Sequence, residues 1–195
     1  MTFDTQSEWG RWKAQGLARI CLSMIDRLPV NGLTRRLAFP LRKPVKTGTQ
    51  ACYDREIWGL KLRLMSKGNL TEQRWLSMPN FHDRPEREAL AKQLIPGSVF
   101  LDVGANAGFY TFWALSRNHE DLRVLAIEPS PGMVERLQFN LAGNHLEKQV
   151  TLFSCAVTEE PGDVFLEENA GNMGQSGLST SGHGLNVEGN PLLDL

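Results

Sequence analysis

The chain has 195 residues, of which 41% are hydrophobic, and a formal net charge of −1. That length fits one domain with an extension; its three cysteines, Cys21, Cys52 and Cys155, are too dispersed for a disulfide framework or a Cys-x-x-Cys zinc site, which makes a reducing cytoplasm the expected compartment. No apolar run approaches the ~20 residues of a membrane span, and Asp4 and Glu8 argue against a signal peptide.

The near-neutral total hides an asymmetry. Residues 1–98 carry 17 Lys+Arg against 9 Asp+Glu, a net of +8, and residues 99–195 carry 4 against 13, a net of −9. The basic half could meet an anionic partner or face the acidic half. In residues 7–28, Trp9, Trp12, Ile20, Met24 and Leu28 recur at helical spacing, with Ser7 as a cap and Pro29 to Gly32 as the stop. This amphipathic helix is expected to pack on the domain or a partner; the alternative is weak contact with a membrane surface. Arg35 to Lys46 holds five basic residues with Pro40 and Pro44, and reads as an extended linker. It lacks the interleaved aromatics of a single-strand platform, so no nucleic-acid partner is expected.

Leu60 to Leu64 alternates apolar and basic residues and predicts a half-exposed strand within Tyr53–Met65. Gly68-Asn69 marks a turn, Asn69 to Ser77 a short helix, and Pro85 the start of another helix running to Leu94. Pro96-Gly97 then turns into Val99–Val103, an apolar run broken only by Asp102, which reads as a buried parallel strand. A carboxylate there is costly unless it has a partner. The spacing Asp102-x-Gly104-x-x-x-Gly108 opens a helix from Phe109 to Ser116, so its backbone can approach a ligand closely. Asn106 stands where the dinucleotide fingerprint has its middle glycine, and no Gly-Lys-Ser/Thr follows. A second strand, Leu122 to Ile127, ends in Glu128, where a doubly wound fold places an acid for ribose hydroxyls. Pro131–Ala142 is a helix with Met133, Val134, Leu137 and Leu141 as its buried stripe, Val150–Phe153 a third strand and Val164–Leu166 a fourth. Asn169 to Gly189 is rich in Gly, Ser and Asn and reads as a mobile loop.

Phe100 to Tyr110, in the form Asp-Val-Gly-Ala-Asn-Ala-Gly-Phe-Tyr, resembles the first motif of the FkbM-type S-adenosylmethionine-dependent methyltransferases. Ala126-Ile127-Glu128-Pro129-Ser130-Pro131, with Leu137 and Asn140, resembles the family's second block, and Ala156-Val157 with Gly162 its third. The likeness covers roughly residues 84–195. It implies an α/β, doubly wound, Rossmann-like methyltransferase sheet, here incomplete, with an N-terminal helical and short-strand extension. Residues 1–50 are then an amphipathic helix and basic linker, 51–98 a pre-domain segment, and 99–195 the cofactor-binding part.

The resemblance implies S-adenosyl-L-methionine as cofactor and O-methylation of a small-molecule or glycan hydroxyl; the alternatives are a truncated, non-catalytic cofactor-binding or interaction module and, less favoured by Asn106, an NAD-dependent oxidoreductase. Asp102, Gly104, Ala105, Asn106, Gly108, Glu128, Pro129, Ser130, Cys155 and Ala156 would line its site: Asp102 toward the amino group, the turn along the methionine part, Glu128 on the ribose, and Pro129, Ser130, Cys155 and Ala156 about the adenine. No residue is singled out as catalytic. His82, His119, His145 and His183 are scattered without metal-ligand spacing, so no metal is expected. After a segment like Pro191–Leu195 the family continues with a strand carrying Lys-Ile-Asp-Val-Glu-Gly. The sequence therefore predicts an uncovered edge on Val99–Val103, with Phe112 and Trp113 exposed beside it.

Overall fold

The computed structural model describes residues 2–195 except 118, 120, 168, 170, 173–175, 180 and 181. Three helices open the chain: α1 (Gly16–Asp26), α2 (Gly32–Leu41) and α3 (Lys43–Thr47). The helix expected over residues 7–28 is thus confined to Gly16–Asp26. The preceding backbone is held elsewhere, because Gly10 N and Trp12 N both donate to Asp54 Oδ2, and Trp12 Nε1 donates to Asp4 Oδ2. Trp9 and Trp12 therefore do not share a helical face with Ile20 and Met24. The extended linker expected over 35–46 is also overturned, since it is helical. Asn31 and Thr34 form a capping box at the start of α2, and Pro44 sits in the first turn of α3, where its missing N–H costs nothing. Pro40 lies inside α2, one residue before its end.

A hairpin follows, β1 (Cys52–Ile57) and β2 (Leu60–Met65), antiparallel with Ile57 opposite Leu60. Its two-residue loop, Trp58-Gly59, has positive φ at both positions (54° and 80°), the turn hand that matches strand twist. The half-exposed strand expected over Leu60–Leu64 is instead buried from Leu62 on, and Arg63, expected on its exposed side, is fully buried because its charge is met inside. Its guanidinium bonds both carboxylate oxygens of Asp54 and the carbonyls of Asp4, Ser7 and Glu8 at 2.7–2.9 Å. Next come α4 (Leu70–Ser77) and α5 (Arg84–Ala91).

The central sheet is parallel, in order β3 (Val99–Val103), β4 (Arg123–Ile127), β5 (Val150–Phe153), connected through α6 (Phe109–Leu115) and α7 (Pro131–Ala142). This is a Rossmann-like α/β arrangement. The side-chain amides of α7 seal the edge of β2. Asn140 accepts from Arg63 N and donates to Arg63 O, and Asn144, just past the helix, does the same with Lys61. One apolar cluster runs from Leu22 and Val45 through Trp75, Phe109 and Phe112 to Leu137 and Val150.

Among the described residues β3 pairs with β4 alone. Val99, Leu101 and Val103 are 63%, 41% and 53% exposed, so this strand, expected to be buried, has one bare face, because no element covers it among the described residues. Phe112 and Trp113, expected to be uncovered, are buried instead. Phe112 stacks on Trp75 from α4, and Trp113 packs with Leu94 and Leu122.

A second sheet has the order β6 (Ala156–Val157), β9 (Leu185–Asn190), β7 (Gly162–Glu167), β8 (Gly177–Leu178). The loop expected over 169–189 thus contains β8 and most of β9, while positions 170, 173–175, 180 and 181 lie outside the described residues. Gly189 belongs to the strand because backbones approach there. A Cβ on it would meet Thr158 Cγ2 at 2.7 Å and Gly162 O at 3.0 Å. Val187 then packs on Leu166 and Ala156. The chain closes with a 3-10 turn, Leu192–Asp194. No helix among the described residues is long and apolar enough to cross a membrane.

Arg63→Met should leave Asp54 buried without its cation and release residues 4–8, costing about 3–5 kcal/mol. Urea unfolding of the variant checks this. Adding Asp54→Asn should recover part of the loss, because the orphaned charge is then gone.

Candidate cofactor-binding site

The end of β3 and the end of β4 are tied into one structure by the turn between Gly104 and Gly108. Gly104 N and Ala105 N both donate to Ile127 O, at 2.8 and 3.0 Å, which folds the turn over the end of β4. Asn106 has φ +54°, a conformation Asn tolerates because its side chain bonds locally. Its Oδ1 accepts from Ala107 N at 2.7 Å and from Asn69 Nδ2 at 2.6 Å. The two glycines serve different ends. A Cβ on Gly108 (φ +89°) would lie 2.7 Å from the Phe112 ring and 3.2 Å from Leu137 Cγ, so α6 packs too closely for any side chain there. At Gly104 (φ +71°) a Cβ would meet nothing within 4 Å, so this side of the turn faces open space.

Glu128 follows β4, its own N–H donating to Phe153 O at 3.0 Å. Its carboxylate is buried, and one oxygen accepts from Asn106 N at 2.7 Å and the other from Ser130 N at 2.8 Å. Ser130 is the N-cap of α7 and Pro131 its first residue, which brings Pro129 and Ser130 beside the acid. Asp102 is buried on β3 and accepts from Thr111 Oγ1 at 2.6 Å. Burial pushes its carboxyl above the usual range, and the Thr111 hydroxyl acts against that rise.

Asp102, Gly104, Ala105, Asn106, Gly108, Glu128, Pro129 and Ser130 thus gather at the ends of β3 and β4. Cys155 and Ala156 lie beyond β5. Ala156 pairs with Gly189 of β9 and packs with Leu166 and Val187, and burial raises the Cys155 thiol pKa.

Three further residues shape this site: Thr111 and Asn69, which were not singled out for it, and Glu72, which lies in the segment where the resemblance implies an acid near the site. Thr111 partners Asp102. Asn69 caps α4, accepting from Glu72 N at 3.1 Å while its amide holds Asn106. Glu72, fully buried, accepts from Met65 N at 2.8 Å and pairs with Arg136 of α7. Burial raises the Glu72 carboxyl, and the Arg136 charge opposes this. The Asn69-x-x-Glu72 spacing before an apolar run is the readable signal here. Among the described residues no group of three or more His, Cys, Asp or Glu could hold a metal ion.

No family model matches the chain, and no curated protein is similar to it. Solved structures with a similar fold include the candidate transferase PH0793 of Pyrococcus horikoshii, at 20% identity and TM-score 0.42 over 56% of this chain and 38% of that one. Trm5b from Pyrococcus abyssi is 17% identical, with TM-score 0.38 over 57% and 34%. The M. jannaschii tRNA m1G37 methyltransferase is also 17% identical, with TM-score 0.39 over 57% and 34%. The chain spans between a third and two fifths of the length of these proteins.

Asp102 sets a pH dependence. Its folded-state pKa is raised, so it adds stability below the unfolded value of about 3.9, and that contribution is lost as the pH rises through the folded pKa. Asp102→Asn keeps an acceptor for Thr111 and removes the titration. Thermal melts should place the variant above the wild type at neutral pH, with the gap closing below about pH 4.

Proposed function

We propose that the chain binds S-adenosyl-L-methionine at the Gly104–Gly108 turn and serves methyl transfer to a hydroxyl oxygen of a small-molecule or glycan acceptor. The observation that carries this reading is the Glu128 carboxylate, buried at the end of β4 and anchored to the turn through Asn106 N. An acid so placed suits a ribose diol. The empty space over Gly104 suits the methionine part of the cofactor, and Asp102 an ammonium group nearby. When bound, the cofactor supplies an electrophilic methyl group. The chain's own residues fix the ribose at Glu128 and keep the Gly104 side of the turn clear of side chains. Transfer to oxygen then depends on holding the acceptor in line, where positioning supplies much of the rate. Asn106 at the place of the middle fingerprint glycine disfavours the alternative of a nicotinamide-dependent oxidoreductase.

Calorimetry with S-adenosylmethionine and with NAD distinguishes the two. Binding of the first alone is expected. Glu128→Ala should weaken that binding by about 1–3 kcal/mol, the cost of an unmet polar partner. Gly104→Val should weaken it further by filling the open side of the turn. NAD binding without S-adenosylmethionine binding, or unchanged affinity in both variants with the circular dichroism intact, would remove the reading. Cofactor binding without methyl transfer to any hydroxylated acceptor would leave a cofactor-binding module.

A further inference from the structure

A cavity of about 110 Å³ opens between α2, α4 and the segment leading into α5. Several waters fit in such a space. Three guanidinium groups line it: Arg35 on α2, Arg42 at its end, and Arg74 on α4. Among the described residues none of the three has a carboxylate within ion-pair distance. The acid in the wall, Asp83, is already engaged by His82 Nδ1 at 3.0 Å and by the Tyr110 hydroxyl at 3.2 Å. Residues 27–53, which include Arg35 and Arg42, hold six basic side chains and no acid.

Two buried nitrogens of the lining residues have no hydrogen-bond partner among the described residues, Arg42 Nε and His82 Nε2. Burial lowers the Arg42 pKa, and the Arg74 charge lowers it further. Burial likewise lowers that of His82, with Arg74, Arg87 and Arg35 acting in the same direction and Asp83 opposing them. Converging cations with an unmet donor, here Arg42 Nε, cost free energy until an anion meets them. Arginine forks match phosphate oxygens geometrically. The remaining lining is apolar, Phe39, Met78 and Phe81: Phe81 is buried, and the Phe39 ring lies under the Arg42 guanidinium at 5.4 Å.

We propose that this cavity binds the phosphate group of an organic phosphoester, gripped by Arg35, Arg42 and Arg74, with the organic part against Phe39 and Phe81. The cavity shares no residue with the Gly104–Gly108 site, so the inference does not rest on the cofactor reading. The two are neighbours all the same, because His82 packs on Phe109 at 4.5 Å, immediately after Gly108.

Calorimetric titration of the full chain with inorganic phosphate and with phenyl phosphate, at low ionic strength, tests this. One saturable site is expected, tighter for phenyl phosphate. The double variant Arg42→Gln/Arg74→Gln should weaken it roughly tenfold or more. Arg36→Gln/Lys43→Gln, which removes two exposed cations outside the cavity, should leave it unchanged. The His82 imidazole, followed by NMR, should titrate at higher pH with phosphate bound, since an anion offsets Arg35, Arg74 and Arg87 while Asp83 and Tyr110 stay in place. No saturable binding of either probe overturns the proposal. So does wild-type affinity in the cavity variant, confirmed folded by circular dichroism, or an equal loss in the outer pair. Equal affinity for the two probes overturns the placement of the organic part.

Discussion

Arg63 sits in the middle of β2 without exposure to solvent, and three parts of the chain meet on it. Moving such a cation out of water costs several kcal/mol unless its hydrogen bonds are replaced. Guanidinium has five N–H donors, and here all five are matched: two by Asp54 and three by the carbonyls of Asp4, Ser7 and Glu8. Asp54 is in turn satisfied by Gly10 N and Trp12 N. The irregular N-terminal segment is therefore part of the hairpin's interior. Phe139 of α7 adds its ring face at 4.6 Å from the guanidinium carbon.

The same residue positions the site. Its backbone is clamped by Asn140, and that of Lys61 by Asn144. Four helical residues rise about 6 Å and two strand residues about 6.6 Å, so two amides four apart on one side meet two peptide units two apart on the other. This docking fixes α7 against the hairpin. The opposite end of α7 begins at Ser130, whose N–H holds Glu128. Arg136, midway along the helix, pairs with Glu72, one turn after the Asn69 that grips Asn106. The N-terminal elements thus hold both sides of the Gly104–Gly108 turn.

The alternation of strand and helix from Val99 to Phe153 was legible because local signals agree there: apolar runs of strand length, glycines at the turns, proline at helix starts. The grouping of Asp102, the glycines and Glu128 could be read from spacing for the same reason. Elsewhere distant contacts decided. Trp9 and Trp12 have helical spacing, yet Asp54, more than forty positions on, takes the N–H groups of Gly10 and Trp12. Pro40 and Pro44 suggested an extended linker, but the Asn31–Thr34 box starts a helix and Pro44 occupies a first turn. Gly189 resembles a loop residue and is in fact needed for close strand approach. Thr111 carries no motif, and the capping pattern of Asn69 and Glu72 marks only a helix start; the fold alone brings Thr111 to Asp102 and Asn69 to Asn106.

The bare face of β3 has a calorimetric consequence. The chain exposes 10936 Å² at a mass of 21.8 kDa, whereas a folded monomer of that mass exposes roughly 9,300 Å². Apolar surface that is already hydrated, such as Val99, Leu101 and Val103, adds nothing to the heat capacity when the chain unfolds. The heat-capacity increment should therefore fall below the usual ~12–15 cal/mol/K per residue. A smaller increment flattens the dependence of stability on temperature, so this chain responds less to cooling than a fully enclosed domain of its size.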